Sequence, residues 1–196
     1  MSHLALLQDN HVTPEAHWRV LGQRPATVWL TGLSGAGKST IAYALEQALT
    51  AQRRPCFVLD GDAVRQGLCR DLGYSPEDRS ENIRRVAEVC RLMNDAGLIV
   101  ISAFISPLRS DREHAREVIG ADHFLEVFIS TPLAVCEKRD TKGMYKRARA
   151  GQLREFTGVS APYEEPEKPA IALDTSVLSV EECVGRVMKL LATAQA

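Results

Sequence analysis

The chain has 196 residues, of which 45 % are hydrophobic and 25 % are charged, and its formal net charge is -1. This composition is typical of a globular protein with a sizeable core, and the near-neutral charge gives no general attraction to nucleic acid or to a membrane surface. No apolar run approaches the 18 or so residues that a transmembrane helix requires, so no membrane association is expected.

Residues 1–25 are polar and mixed, and we expect them to form a mobile or peripheral arm before a single domain at residues 26–196. The five cysteines are dispersed and form no C-x-x-C pair. This usage favours reduced thiols and therefore a cytoplasmic protein.

A glycine-rich loop organises the chain. Residues 32–39 fit the pattern G-x-x-x-x-G-K-[ST] of a phosphate-binding loop. The apolar residues 26–30 before it predict a strand, and residues 41–49 after it predict a helix. Loop N–H groups at a helix N-terminus would hold phosphates, Lys38 could reach the β- and γ-phosphates, and Ser39 could bind Mg²⁺. The loop predicts a nucleoside-triphosphate site without identifying the reaction.

Strands and helices are predicted to alternate along the rest of the chain. Further strands are predicted at residues 56–59, 98–101, 124–129 and 171–174, the first two as buried strands. Further helices are predicted from Ser75 to about residue 94, at 109–119, from Thr131 to about 139, and at 181–191. This alternation predicts an α/β fold of three layers, with a mainly parallel five-stranded sheet and helices on both faces.

Two carboxylates follow the second strand. Asp60 ends an apolar run, and Asp62 comes two residues later. Acids at the carboxyl end of a parallel strand could bind Mg²⁺ or accept a hydroxyl proton. The alternative is a pair of turn-forming aspartates beside Gly61.

Cationic and polar side chains suggest a second anionic ligand. Asp62 and Arg65 are three residues apart, as are Arg79 and Asn82, so each pair would share a helix face. Arginines bind phosphate-like oxygens in pairs, but spacing alone favours a solvated helix face. Residues 105–107 could line an acceptor pocket or form a simple Ser–Pro turn.

Residues 139–169 form a basic segment rich in Gly and Pro. One interpretation is a lid that closes over the transferred phosphoryl group and excludes water. The other is a solvated or nucleic-acid-binding face. We favour a lid, because no aromatic residues alternate with the cations and no nucleic-acid motif accompanies them.

With these motifs in order, the chain resembles the adenylylsulfate kinase (APS kinase) family from about Val12 to the last helix. The resemblance rests on the phosphate-binding loop and on the sequences LDGD (59–62), VRQGL (64–68), GYSPEDR (73–79), ENIRRVAE (81–88), FISP (104–107), RDTKGMYKRAR (139–149) and FTG (156–158). The loop is shared by many NTPases, whereas the other blocks are far more specific.

The resemblance implies transfer of the ATP γ-phosphoryl group to the 3′-hydroxyl of adenosine 5′-phosphosulfate, with Mg²⁺ as cofactor. It implies that the ATP phosphates lie on Gly32, Leu33, Ser34, Gly35, Ala36, Gly37, Lys38, Ser39 and Thr40. It implies that the acceptor is bound by Asp62, Arg65, Tyr74, Arg79, Asn82, Ile105, Ser106, Lys142 and Phe156. It further implies catalytic roles for Lys38, Asp60 and Ser106, metal ligation by Ser39 and Asp60, and a homodimer. Ser106 lies where some bacterial members carry a phosphorylated serine.

Other functions remain as alternatives. Another small-molecule or nucleoside-monophosphate kinase could use the same fold. A GTP-driven switch would need a guanine-reading N-K-x-D element, and the chain has none. A nucleic-acid-binding protein would depend on the basic segment alone, so we expect no nucleic-acid partner.

Overall fold

A computed structural model of the protein describes residues 12–195. Its centre is a five-stranded sheet with the order β2-β3-β1-β4-β5, and every pair of neighbouring strands is parallel. The strands are β1 (Ala26–Thr31), β2 (Cys56–Asp60), β3 (Ile99–Ala103), β4 (Phe124–Ile129) and β5 (Ile171–Leu173).

Helices connect the strands and cover both faces of the sheet. They are α1 (Pro14–Leu21), α2 (Lys38–Ala51), α3 (Gly61–Gln66), α4 (Pro76–Asp95), α5 (Arg109–Ile119), α6 (Leu133–Arg139), α7 (Met144–Arg149) and α8 (Val180–Gln195). The predicted fold class is therefore confirmed. None of the helices within residues 12–195 is long and apolar enough to cross a membrane.

Two apolar clusters account for the layers. On one face, Ile41 and Leu45 of α2 pack with Val187 and Leu191 of α8. On the other face, Trp29 of β1 packs with residues of α4 and α5 that include Val86, Cys90 and Ala115. Because β1 and β3 are covered on both faces, all of their residues are buried.

The prediction that residues 56–59 form a buried strand is wrong in one respect. The strand exists, but β2 lies at the edge of the sheet, and only Val58 is buried. Phe57 is 51 % exposed. An apolar run alone does not distinguish an edge strand from a central one, because the order of strands depends on the whole chain.

Helix α1 lies in the predicted N-terminal arm and was not anticipated. The indole Nε1 of Trp18 donates a hydrogen bond to the Asn94 carbonyl at 3.0 Å. The Gln23 amide donates to the carbonyls of Pro55 and Gly97 at 2.8 and 2.7 Å. These contacts attach this part of the arm to the start of β2 and β3, and residues 1–11 of the predicted arm lie outside the described residues.

The sheet brings three chain segments together at one edge. In the register of β3 with its neighbours, Ala103 pairs with Leu30 of β1 and with Asp60 of β2. The loop after β1, the acids after β2 and the segment after β3 therefore leave the same edge side by side. In open α/β sheets this carboxyl edge is where ligands bind.

Candidate active site

The phosphate-binding loop joins β1 to α2 with a backbone that requires glycine. Gly32 has φ +149°, and a Cβ there would lie 2.6 Å from the Ile129 carbonyl oxygen. Gly37, the N-cap of α2, has φ +105°, and a Cβ there would crowd Thr175. The loop is thus held against β4 and the segment after β5, with the N-terminus of α2 facing the cleft.

Lys38 is buried at the bottom of this loop. Its ammonium donates hydrogen bonds to the carbonyls of Gly32 at 2.9 Å and Leu33 at 2.7 Å. Burial lowers the pKa of Lys38 from 10.5 to about 8, because the charged form loses solvation. A phosphate close to this ammonium would favour the charged form and raise the pKa again.

Ser39 and Asp60 form a pair of oxygen ligands beside Lys38. The Ser39 hydroxyl donates to Asp60 Oδ2 at 2.7 Å. The other carboxylate oxygen of Asp60 accepts the backbone N–H of Asp62 at 3.0 Å and caps α3. Within residues 12–195 no three His, Cys, Asp or Glu side chains form a metal cluster. A hydroxyl and one carboxylate fit Mg²⁺, which usually takes few protein ligands and completes its shell with phosphate oxygens and water.

Arg65 and Arg79 stand on the opposite side of the cleft. Arg65 donates to the Gly73 carbonyl at 2.7 Å, and its guanidinium lies 4.4 Å from the centre of the Tyr74 ring. Arg79 donates to the Tyr74 carbonyl and to the Thr157 hydroxyl, both at 2.9 Å. Partial burial lowers the pKa of Arg79. Both guanidinium groups are therefore oriented by fixed acceptors before any ligand arrives.

Asn82 is one turn further along α4 and is 3 % exposed. Its amide nitrogen has no hydrogen-bond partner among the described residues. A buried donor without a partner carries a free-energy cost of about 1–3 kcal/mol, which a ligand acceptor at this position would relieve.

Ser106 follows β3 and is almost completely buried. Its φ is +40°, in the left-handed region that residues other than glycine seldom adopt. Its hydroxyl accepts a hydrogen bond from Trp29 Nε1 at 3.1 Å, and the Thr31 hydroxyl donates to the Ile105 carbonyl at 2.7 Å. The segment at 105–107 is thus fastened to β1 rather than being a free turn.

The basic segment contributes Lys142 and Phe156 to the wall of the cleft. Lys142 forms an ion pair with Asp62, which joins the segment to α3. Phe156 packs edge-on against Tyr145 of α7, with the ring centres 5.0 Å apart. Arg79 also donates to the Thr157 hydroxyl, so the segment contacts the cleft residues at Lys142 and again at Thr157.

These side chains surround one cleft with a volume of about 600 Å³. Every residue predicted for the acceptor site lines it, as do Gly35, Gly37, Lys38, Ser39, Thr40 and Asp60. The remaining loop residues, Gly32, Leu33, Ser34 and Ala36, are not among the residues that line it. Both pairs, Asp62–Arg65 and Arg79–Asn82, line this cleft, and their role in binding an acceptor stays a prediction.

Sequence reasoning missed a set of polar contacts behind the loop. The hydroxyls of Thr131 and Thr175 donate to the Ala36 carbonyl at 3.1 and 2.8 Å. Arg139 donates to the hydroxyl and the carbonyl of Thr175, both at 2.8 Å. Thr131 and Thr175 follow β4 and β5, so their position at the carboxyl edge was the available signal.

A phosphate-binding loop on a parallel five-stranded sheet, beside a cleft lined by arginines, is the arrangement of a P-loop kinase. A family model described as adenylylsulphate kinase matches residues 24–174. The adenylyl-sulfate kinase of Pseudomonas aeruginosa is 57 % identical over 173 residues, covering 88 % of each chain. That of Bacteroides thetaiotaomicron is 53 % identical over 189 residues, covering 96 % of this chain and 94 % of the relative. The chain belongs to the adenylylsulfate kinase family.

Solved structures show the same relationship. The APS kinase CysC of Mycobacterium tuberculosis in complex with AMPPNP and APS superposes with a TM-score of 0.83 and 46 % identity, over 87 % of this chain and 99 % of that one. A hexameric APS kinase from Thiobacillus denitrificans superposes with a TM-score of 0.64 and 32 % identity, over 87 % of this chain and 29 % of that one.

Proposed function

We propose that this protein transfers the γ-phosphoryl group of ATP to the 3′-hydroxyl of adenosine 5′-phosphosulfate, giving 3′-phosphoadenosine 5′-phosphosulfate for sulfate activation. One observation carries the proposal: the same cleft is lined by Gly35, Gly37, Lys38, Ser39 and Thr40 of the phosphate-binding loop and by every predicted acceptor residue. The family relationship and the likeness to a kinase solved with AMPPNP and APS support this choice of substrates.

The donor end acts by holding negative charge in place. The loop N–H groups and the N-terminus of α2 would bind the ATP phosphates. Lys38 would leave the carbonyls of Gly32 and Leu33 and bind the β- and γ-phosphates. Fixed cationic groups that face the developing charge lower the barrier without rearranging during the reaction.

Asp60 lies between the two ends of the cleft. It would help Ser39 to hold Mg²⁺, which when bound neutralises charge on the phosphates. A carboxylate there can also accept the hydrogen bond of the attacking 3′-hydroxyl as its proton leaves. Asp62, which shares the ion pair with Lys142, would orient the acceptor.

The acceptor end recognises a second anion. Arg65 and Arg79 would bind the phosphosulfate oxygens, because guanidinium groups donate paired hydrogen bonds to such groups. The free amide donor of Asn82 would reach the same ligand, and Tyr74, Ile105 and Phe156 would contact its base and sugar. The lid residue Lys142 would complete the site and exclude water, which would otherwise accept the phosphoryl group.

For Ser106 we propose a supporting role rather than a covalent one. Its hydroxyl is buried and accepts the Trp29 indole N–H, and in-line transfer between two bound nucleotides requires no phosphoserine. We also propose a homodimer in solution and a cytoplasmic location. All five cysteines are free thiols, as expected in a reducing compartment.

The test is an acceptor panel. ADP release is measured with ATP and Mg²⁺ in the presence of adenosine 5′-phosphosulfate, of AMP, of a sugar acid, or of no acceptor. We expect turnover that depends on adenosine 5′-phosphosulfate. Equal or faster turnover with AMP or the sugar acid would favour another kinase of this fold. ADP release without any acceptor would indicate an ATPase.

A further inference from the structure

A buried arginine outside the cleft connects the acceptor end to the base of the lid. Arg112 of α5 has a side chain that is 3 % exposed. Its Nε donates to Glu126 Oε1 at 2.7 Å, one Nη donates to the Ser106 carbonyl at 2.6 Å, and the other donates to the Glu164 carbonyl at 2.7 Å. A buried charge that makes three short hydrogen bonds in three directions fixes all three partners relative to one another.

Through the Ser106 carbonyl, Arg112 holds the segment at residues 105–107, which forms the floor of the proposed acceptor site. Ser106 keeps a φ of +40°, a strained conformation that persists only where the surroundings impose it. Trp29 holds its hydroxyl, and Arg112 holds its carbonyl. Without the guanidinium, the carbonyl would lose its strongest donor, and the peptide after Ile105 could relax.

The second partner is the strap, by which we mean residues 157–165, the chain that leads out of the lid. At the start of the strap, the Thr157 hydroxyl accepts a hydrogen bond from the Arg79 guanidinium. Glu164 lies near the end of the strap. Glu164 donates its backbone N–H to the Pro107 carbonyl at 2.9 Å, and its carboxylate accepts the Arg109 N–H at 2.7 Å. The strap is therefore anchored on the residues that follow Ser106.

We propose that Arg112 is a positioning residue for the acceptor. Its two hydrogen bonds hold the floor of the acceptor site, at Ser106, and the end of the strap, at Glu164, in a fixed position relative to each other. This inference rests on the proposed function of the cleft. It predicts a selective effect: the donor loop has its own supports, since Thr131 and Thr175 hold the Ala36 carbonyl. Loss of Arg112 would therefore weaken use of adenosine 5′-phosphosulfate and spare the binding of ATP.

A single substitution would confuse this effect with destabilisation, because Arg112→Met leaves the carboxylate of Glu126 partly buried and without its partner. The informative variant is the double substitution Arg112→Met with Glu126→Gln, which removes both charges and keeps the approximate volume. Arg112→Lys retains the charge but loses the planar fork. Arg116→Met, an exposed arginine on the same helix, is the matched control.

Four measurements on each purified full-length variant decide the matter: the melting temperature, KM for each substrate, kcat, and hydrogen exchange in residues 155–165. For the double variant we expect a melting temperature close to that of the parent, a rise of about 10-fold or more in KM for adenosine 5′-phosphosulfate, KM for ATP within about 2-fold, and faster exchange in the strap. We expect Arg112→Lys to be intermediate and Arg116→Met to behave like the parent.

The inference would be overturned if the double variant kept the parent's KM for adenosine 5′-phosphosulfate, or if both KM values rose together in proportion to lost stability. Failure of the proposed function would look different, since the parent itself would then show no turnover that depends on this acceptor.

Discussion

The donor and acceptor ends of the cleft are built in opposite ways. The proposed donor end is one continuous stretch, residues 32–40, whose expected binding groups are mostly backbone N–H groups and a single lysine. The proposed acceptor end combines side chains from α3, α4, the segment after β3 and the basic segment. Two of these residues, Asp62 and Phe156, are 94 positions apart in the sequence. Neighbouring residues in the sequence are enough to specify the donor end. The acceptor end forms only when the folded sheet and the basic segment bring distant residues together.

Because of this contrast, substitutions at the two ends should change different kinetic constants. A change at the donor end removes charge stabilisation from the transferred group and lowers kcat. A change at the acceptor end alters a set of shared contacts and first raises KM for that substrate.

Lys38→Ala should have the largest effect. We expect kcat to fall by about 10²–10³-fold, the cost of removing one fixed donor from a developing negative charge. The protein should still fold, because a buried ammonium that is costly to desolvate is removed. Steady-state kinetics and a melting curve are the measurements, with exposed Lys189→Ala as the control. Normal turnover of Lys38→Ala would contradict its placement at the donor phosphates.

Asp60→Asn tests the centre of the site. The amide keeps the size of the side chain but loses the charge that would serve Mg²⁺ and the attacking hydroxyl. We expect kcat to fall by about 10²-fold and the Mg²⁺ concentration for half-maximal rate to rise. A Mg²⁺ titration of activity is the measurement, and Asp122→Asn, which is exposed, is the control. An unchanged Mg²⁺ requirement would remove Asp60 from the proposed metal site.

Arg79→Ala tests the acceptor end. Hydrogen bonds to charged groups contribute about 1.5–3 kcal/mol, so KM for adenosine 5′-phosphosulfate should rise by about 10–100-fold. KM for ATP should change little. Arg91→Ala, at an exposed position of the same helix with surface ion pairs, should leave both constants unchanged. An unaltered KM for adenosine 5′-phosphosulfate in Arg79→Ala would place that substrate elsewhere.

Proton uptake is the smallest effect and is specific to the donor end. In the free protein the pKa of Lys38 is lowered to about 8, so at pH 8.5 most molecules carry the neutral amine. Bound phosphates favour the charged form and raise the pKa, so binding of a non-hydrolysable ATP analogue should take up a fraction of a proton at pH 8.5. Calorimetry in two buffers with different ionisation enthalpies measures this value. Lys38→Ala should lose the uptake, and adenosine 5′-phosphosulfate alone should not produce it.

The same linkage makes the contribution of Lys38 to the stability of the ligand-free protein more favourable at high pH. Because the folded pKa lies below the unfolded value, the cost of burying the charged amine is present in full below about pH 8. It is relieved as the pH rises from about 8 toward 10.5. The stability difference between the parent and Lys38→Ala should therefore shift in favour of the parent over this range, as measured by denaturant unfolding.

The same division describes what could be predicted from the sequence. The loop, the alternation of strands and helices, and the N-cap of α4 at Ser75 depend on neighbouring residues, and the structure confirms them. The edge position of β2 and the helix α1 could not be predicted, because both depend on distant partners. The residues alone suggested Ile105, Ser106 and the two arginine pairs only as one of two alternatives, and the choice in favour of an acceptor site came from the family resemblance.

Arg112 illustrates the remaining limit. In the sequence it is one of several charged residues on an amphipathic helix, and nothing distinguishes it from Arg109 or Arg116. Its burial and its three partners arise because α5, β4 and the strap meet at one point. Such a role is visible only in the folded molecule.

The central claim is that the cleft joins ATP and adenosine 5′-phosphosulfate for transfer to the 3′-hydroxyl. The most direct measurement incubates the protein with ATP, Mg²⁺ and adenosine 5′-phosphosulfate and identifies the product by mass spectrometry and ³¹P NMR, beside the same mixture without the acceptor. The account predicts one new phosphomonoester, on the 3′ oxygen, in the same amount as the ADP formed. ADP without that phosphomonoester, or a phosphoryl group on another oxygen, would contradict it.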